Sequence, residues 1–238
     1  MQSPTSSLLA ELHAHTTWSD GELTMRELVD LYGAAGFDVL AVTDHIVRTD
    51  DPWTGGALGV PAARFERYLE EIRRESERAS RVYGMTLIPG AELTFNHPDP
   101  ARAVHVVALG LDRFVPVDDI DGALAEARAA GAALVAAHPF AAGPAQAGQR
   151  TTQRFAHDAA ARALVDRFEL FNRDTLFEWV SRAGLPAVAS GDFHQRDHLP
   201  GWKTLIPSGR SPEAVVAYLR SSRPVHLTRH SAAASRAA

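Results

Sequence analysis

Residues 8–45, LLAELHAHTTWSDGELTMRELVDLYGAAGFDVLAVTDH, decide the fold class. Leu8 to His15 is an apolar strand-like run, and Phe37 to Thr43 is a second. Between them Thr24-Met25-Arg26-Glu27 has the Thr and Glu spacing of a capping box, which starts a helix through Ala35. Strand, helix and strand in succession make a β/α unit, and the same alternation continues downstream. A charged helix is predicted from Pro61, suited to a first helical turn, to Tyr83. Strands follow at Met85 to Ala91 and Val104 to Gly110, then a helix capped by Asp118 and Asp119 to Ala130, then a strand at Ala132 to Ala137. Further strands at Arg167 to Phe171, Ala187 to Ser190 and Lys203 to Ile206 alternate with helices near Thr175 to Arg182 and Pro212 to Ser221.

One connection breaks the rhythm. Leu93 to Ala103 holds Pro98 and Pro100, has no helical pattern and is short for a parallel crossover, so strand four is predicted to return antiparallel. The remaining signals describe a single domain over 1–230 with a frayed tail from Ser231 to Ala238. Without cysteine, disulfides and thiolate sites are excluded, and any metal must sit on nitrogen and oxygen ligands. No basic leader and no apolar run of roughly 18 residues is present, so a cytoplasmic protein with no membrane partner is expected. The net charge of -5 argues against coating nucleic acid and points to small substrates.

Eleven histidines are the unusual feature of the composition. His13 and His15, two apart on a strand, face the same way and can share an ion. Asp20 sits in a Ser-Asp-Gly turn, Asp44-His45 ends strand two, Glu92 ends strand three, and His138 follows strand five. Asp192 and His194 follow the seventh strand in Ser-Gly-Asp-Phe-His. Singly, each has an ordinary reading as a turn, a cap or a surface residue. Jointly they fall at the C-terminal strand ends, the face where β/α barrels place chemistry. His105 opens strand four, and an antiparallel strand would begin at that same mouth. Burying so many imidazoles and carboxylates without cations would be costly, so a metal cluster is predicted.

His13-Ala-His15, Ser19-Asp20-Gly21, Thr43-Asp44-His45, Gly90-Ala91-Glu92, His105-Val-Val, Ala137-His138-Pro139 and Gly191-Asp192-Phe193-His194 resemble the ordered motifs of the PHP (polymerase and histidinol phosphatase) family. The resemblance implies an α/β fold, a distorted (β/α)7 barrel of mostly parallel strands with one antiparallel strand. It also implies three divalent ions, zinc, manganese or iron. His13, His15, Glu92 and Asp192 would hold one, Glu92 with His105 and His138 a second, and Asp20, His45 and His194 a third. Phe193 stands where a small residue is usual, which bears on the shape of the pocket.

Such a centre stays net positive and would draw a small phosphorylated substrate. The expected reaction is hydrolysis of a phosphate ester by a metal-bridging hydroxide, with Glu92, Asp192 and His194 as catalytic residues. Arg173, Asn172, Lys203 and Arg48 are candidate substrate-binding residues, and Asp44 a candidate partner for a ligand imidazole. His198 could protonate a leaving group or lie in a surface loop, and Trp18 and Trp53 could line the pocket or pack in the core. His97, His157, His226 and His230 carry no assignment. Specificity is expected to lie in the loops Asp50 to Val60 and Ala141 to Gln149. The alternatives are an exonuclease-like phosphodiesterase, for which no basic and aromatic strand-binding run is present, a metal-dependent amide hydrolase, and a non-catalytic metal-stabilised module.

Overall fold

The computed structural model of the chain describes residues 7–51, 53, 58–141 and 152–231. It begins with β1 (Leu8–Glu11), α1 (Met25–Ala34) and β2 (Val39–Val42), and both bonds of the Thr24 and Glu27 capping box form. Next come β3 (His45–Val47), α2 (Ala62–Tyr83), β4 (Thr86–Phe95), β5 (Val104–Leu109), α3 (Ile120–Ala129) and β6 (Ala133–Ala136). The chain continues through α4 (Arg154–His157), β7 (Arg167–Asn172), β8 (Thr175–Leu176), α5 (Glu178–Arg182) and β9 (Ala187–Ser190). It ends with β10 (Gly201–Ile206), α6 (Pro212–Arg220) and β11 (His226–His230). No helix of the described residues is long and apolar enough to cross a membrane.

The strands form one sheet in the order β11-β10-β1-β2-β4-β5-β6-β7-β8, with β3 beside β4 and β9 beside β7. The sheet curls on itself, because beyond the ends of β1 and β9 the Phe193 amide donates to His13 O (3.0 Å) and the His15 amide to Phe193 O (2.8 Å). Successive strand residues alternate between two apolar clusters. Leu40, Val42 and Leu87 pack with α1, α2 and α3, whereas Val39, Ala41 and Ile88 pack with Val215 and Leu219 of α6. Both faces are covered, so β2 is buried at every position.

The antiparallel return between β4 and β5 is present as expected. The seven-stranded, mostly parallel description holds only in part. The observed fold is an α/β fold with a curled sheet of mixed strands, in which the named strands among the described residues make five parallel and five antiparallel pairings. Several boundaries also move. β1 stops at Glu11, two residues before His13, because Leu12 and His13 donate their amides to the Glu11 side chain. β4 runs through Glu92 to Phe95, since β3 and β5 supply partners on its two edges. Thr175 and Leu176 form a short strand against β7, not the start of a helix. Asp119 occupies the N-cap position of α3 without a side-chain capping bond, and Asp118 instead accepts from Thr49. The predicted loop Ala141 to Gln149 and the tail lie, but for Ala141 and Ser231, outside the described residues, as do several residues of Asp50 to Val60.

Candidate metal centre

The long strand β4 organises the site. Its register sets Glu92 beside His45 of β3, and Thr94 beside His105 of β5. His13 and His15 project just past β1, His138 two residues past β6, and Asp192 and His194 just past β9. The turn carrying Asp20 folds back because Gly21 has no side chain; a Cβ there would lie 2.3 Å from the His15 carbonyl oxygen. All nine predicted ligands converge at one mouth.

The donor atoms fall into three groups, each with its atoms within 4.8 Å of one another: His15, Asp20, His45 and His194; His13, His15 and Asp192; and Glu92, His105 and His138. Glu92 joins them, with Oε2 3.2 Å from His13 Nε2, 3.4 Å from His15 Nε2 and 3.0 Å from His45 Nδ1. Its Oε1 is 3.0 Å from His105 Nδ1 and 3.3 Å from His138 Nε2. Asp192 Oδ1 stands 3.6 Å from His13 and His15, and Asp20 Oδ1 3.4 Å from His194 and 3.5 Å from His45. Two ligands on one ion with bonds of ~2.1 Å in a tetrahedral arrangement are ~3.4 Å apart, so these spacings suit a shared cation.

Hydrogen bonding supports the same fit. His15 Nε2, Glu92 Oε1 and His105 Nδ1 are buried and make no aligned hydrogen bond. Orphaned buried polar atoms call for a partner, and these three point into the cluster. On three of the imidazoles the outward nitrogen is occupied, as is usual for metal-bound histidine. His13 Nδ1 donates to Glu169 (2.9 Å), His105 Nε2 to Asn96 Oδ1 (2.9 Å), and His194 Nδ1 to the Asp192 carbonyl (3.0 Å). Burial alone would raise Glu92, but His45, His13 and His105 hold it well below the usual carboxylate range. Asp192 is likewise lowered despite burial, chiefly by His13 and His138. His138, Arg173 and Asp192 have positive φ (29°, 54° and 43°) although none is glycine. Backbone strain of this kind costs of order 1–3 kcal/mol per residue and gathers at functional sites.

The candidate substrate-binding residues separate. Arg173 and Asn172 line the cleft, a cavity of about 270 Å³, together with Phe140, Thr175 and Phe177. Arg173 donates to the Asp192 carbonyl (2.9 Å) and carboxylate (3.2 Å). Lys203 does not reach the cleft: it is fully buried against Glu11, 2.7 Å away. Arg48 is also displaced, held by Asp50, stacked on Phe95 and donating to Asn96 O. Asp44 touches no ligand imidazole and instead accepts from Thr16 and Ser19, fixing the turn that carries Asp20. Phe193 turns into the core against Tyr32 and leaves the pocket's shape alone. Trp18 packs on Tyr68, Trp53 is exposed, and neither lines the cleft. His198 is half-buried and accepts the His194 amide through Nδ1.

Two buried carboxylates escaped the sequence reading. Glu169 accepts from His13, Ser190, Asn172 and the His138 amide, and Glu11 from Leu12, His13 and Gly191. Their signal was a charge inside an apolar strand, Leu-Ala-Glu-Leu and Phe-Glu-Leu.

The chain belongs to the PHP family, since the PHP domain model matches residues 11–140. It is 28% identical over 201 residues to a 3',5'-nucleoside bisphosphate phosphatase of Chromobacterium violaceum, covering 81% of this chain and 61% of that protein. It is 32% identical over 106 residues to a 5'-3' exoribonuclease of Haemophilus influenzae, covering 44% of this chain and 30% of that protein. Among solved structures it resembles a two-domain protein from Bacteroides vulgatus containing a predicted PHP-like metal-dependent phosphoesterase. That match has a TM-score of 0.69 at 20% identity and covers 94% of this chain and 65% of the other. The chain thus spans from about a third to two thirds of these relatives.

Proposed function

We propose that the chain is a metal-dependent phosphoesterase that hydrolyses a phosphate ester of a small metabolite or nucleotide at a centre of three divalent cations. The observation that carries this reading is the convergence of nine imidazole and carboxylate side chains into three adjacent groups, with orphaned buried atoms directed between them. When bound, the cations supply Lewis acidity and a nucleophile from water near neutral pH. His15, Asp20, His45 and His194 would hold one, His13, His15 and Asp192 another, and Glu92, His105 and His138 the third, with Glu92 facing all three. Zinc, manganese and iron all suit these ligands.

The protein's own part is to bind and orient. Arg173 presents a guanidinium beside Asp192, where it can grip a phosphoryl oxygen. Asn172 is committed to Glu169 and acts by steadying the carboxylate behind His13. Phe140 and Phe177, edge to face at 4.8 Å, give the cleft an apolar wall suited to the organic part of the ester. A small substrate is favoured over a long strand because the cleft is small, about 270 Å³, and Arg173 is the one Arg or Lys that lines it among the described residues.

The test is phosphate release from phosphomonoesters, nucleoside 3',5'-bisphosphates and short oligonucleotides. EDTA should abolish turnover, manganese, iron or zinc should restore it, and His13→Ala and Asp192→Ala should be folded but inactive. Full activity after stripping, or turnover in both variants, would remove this reading. Oligonucleotide cleavage without activity on small esters would favour the exonuclease alternative.

A further inference from the structure

Below the cluster, β1 ends at Glu11 and β9 at Ser190, and the backbone then opens to present His13 and Asp192. Strands that open in the interior leave amides without ladder partners, and buried amides must be paired. Glu11 pairs three of them. Its Oε1 accepts from the amides of Leu12 (3.0 Å), His13 (3.2 Å) and Gly191 (2.7 Å). Its Oε2 accepts the Tyr32 hydroxyl (3.1 Å) and lies 2.7 Å from Lys203 Nζ. Glu11 and Lys203 are both fully buried and neither lines the cleft. The fit is close, since a Cβ on Gly191 would stand 2.4 Å from Glu11 Oε2 and 2.5 Å from Lys203 Nζ.

The ion pair's own stability does not account for this arrangement, because an apolar pair of similar volume often serves a buried ion pair's place equally well. The three amides do account for it: one belongs to His13 and another directly precedes Asp192, from opposite ends of the chain. We propose that Glu11 is a positioning residue for the metal centre, setting the spacing of His13 and Asp192, and that Lys203 holds its carboxylate in place. This rests on the metal centre proposed above.

The test is divalent-cation affinity, measured with manganese or zinc by competition with a coloured chelator on protein shown to be folded by circular dichroism and thermal melting. The double variant E11L/K203M, which leaves three buried amides unpaired, should melt below the wild type yet remain folded, and should bind the cation 10–100-fold more weakly, the loss typical of removing support behind a ligand. E11Q/K203M, whose amide oxygen can still accept from the three amides, should stay near wild-type affinity. Wild-type affinity in folded E11L/K203M, or an equal loss in both double variants, overturns the proposal. If E11L/K203M does not fold, Glu11→Asp decides: it keeps the charge but withdraws it by one methylene, so affinity should fall ~10-fold or more, and unchanged affinity overturns the proposal. A wild type that takes up no cation would sink the centre and the positioning role together, whereas tight wild-type binding with an undiminished E11L/K203M sinks the positioning role alone.

Discussion

Replacing Glu169 by glutamine changes one terminal atom, yet the structure gives it large consequences. Oε1 accepts from His13 Nδ1 (2.9 Å) and the Ser190 hydroxyl, and Oε2 from Asn172 Nδ2 (2.8 Å) and the His138 amide (2.6 Å). Glutamine has one oxygen, so its NH2 faces two donors whichever way it is turned. With the NH2 in the place of Oε2 it meets Asn172 Nδ2 and the His138 amide, and orphaning buried donors costs about 1–3 kcal/mol each. If the NH2 meets His13, the imidazole proton must move to Nε2, the atom 3.2 Å from Glu92 and 3.6 Å from Asp192. The lone pair offered to the centre is then lost. Glu169→Gln is therefore expected to weaken cation binding about 10–100-fold and to lower the urea midpoint with an unchanged slope. Chelator competition and equilibrium unfolding read the two effects, and a variant matching the wild type in both would refute this reasoning.

Other consequences are equally specific. Arg173→Ala should lower kcat/KM about 10–100-fold by removing a charge-assisted contact of about 1.5–3 kcal/mol while cation stoichiometry stays intact; a lysine there should recover little, since it lacks the planar fork. Arg167, buried, donates to the carbonyls of Tyr218, Leu219, Ser221 and Arg223 at the end of α6, so Arg167→Leu should cost at least about 3 kcal/mol in denaturant unfolding, and a loss below about 1 kcal/mol would contradict that role. Cation uptake should release protons at pH 7 and weaken as pH falls. In the cation-free protein burial alone would lower His45, but Glu92 and Asp20 push it up to about 10, and His13 and His138 are raised against burial in the same sense. Protonated imidazoles cannot ligate, so cations must displace those protons; titration calorimetry in buffers of different ionisation enthalpy would count them, and a count of zero would be the wrong answer.

The first β/α unit was legible because its signals are local: an apolar run from Leu8 to His15, a capping box at Thr24, and a second apolar run from Phe37 to Thr43. The antiparallel β5 was legible from the length and prolines of the segment before it. β3 and β11 were not, since His45–Val47 is only three residues long and His226–His230 is short and mostly polar, and both become strands only through partners distant in sequence. The nine convergent donors stood out because histidine and carboxylate recur just beyond apolar runs. Direction was the missing quantity. Lys203 looked like a cation at the mouth, yet β10 pairs antiparallel to β1 and brings it beneath the site onto Glu11. Glu11 and Glu169 were passed over as charges in apolar strands, and their use emerges only when amides from remote segments meet them.

The most direct test is to load the protein with manganese or zinc and collect anomalous diffraction above and below the metal's absorption edge. Three peaks are expected, one within each group of donors, with Glu92 facing all of them. A loaded crystal with no anomalous density among His13, His15, Glu92, His105 and Asp192 would contradict the central claim.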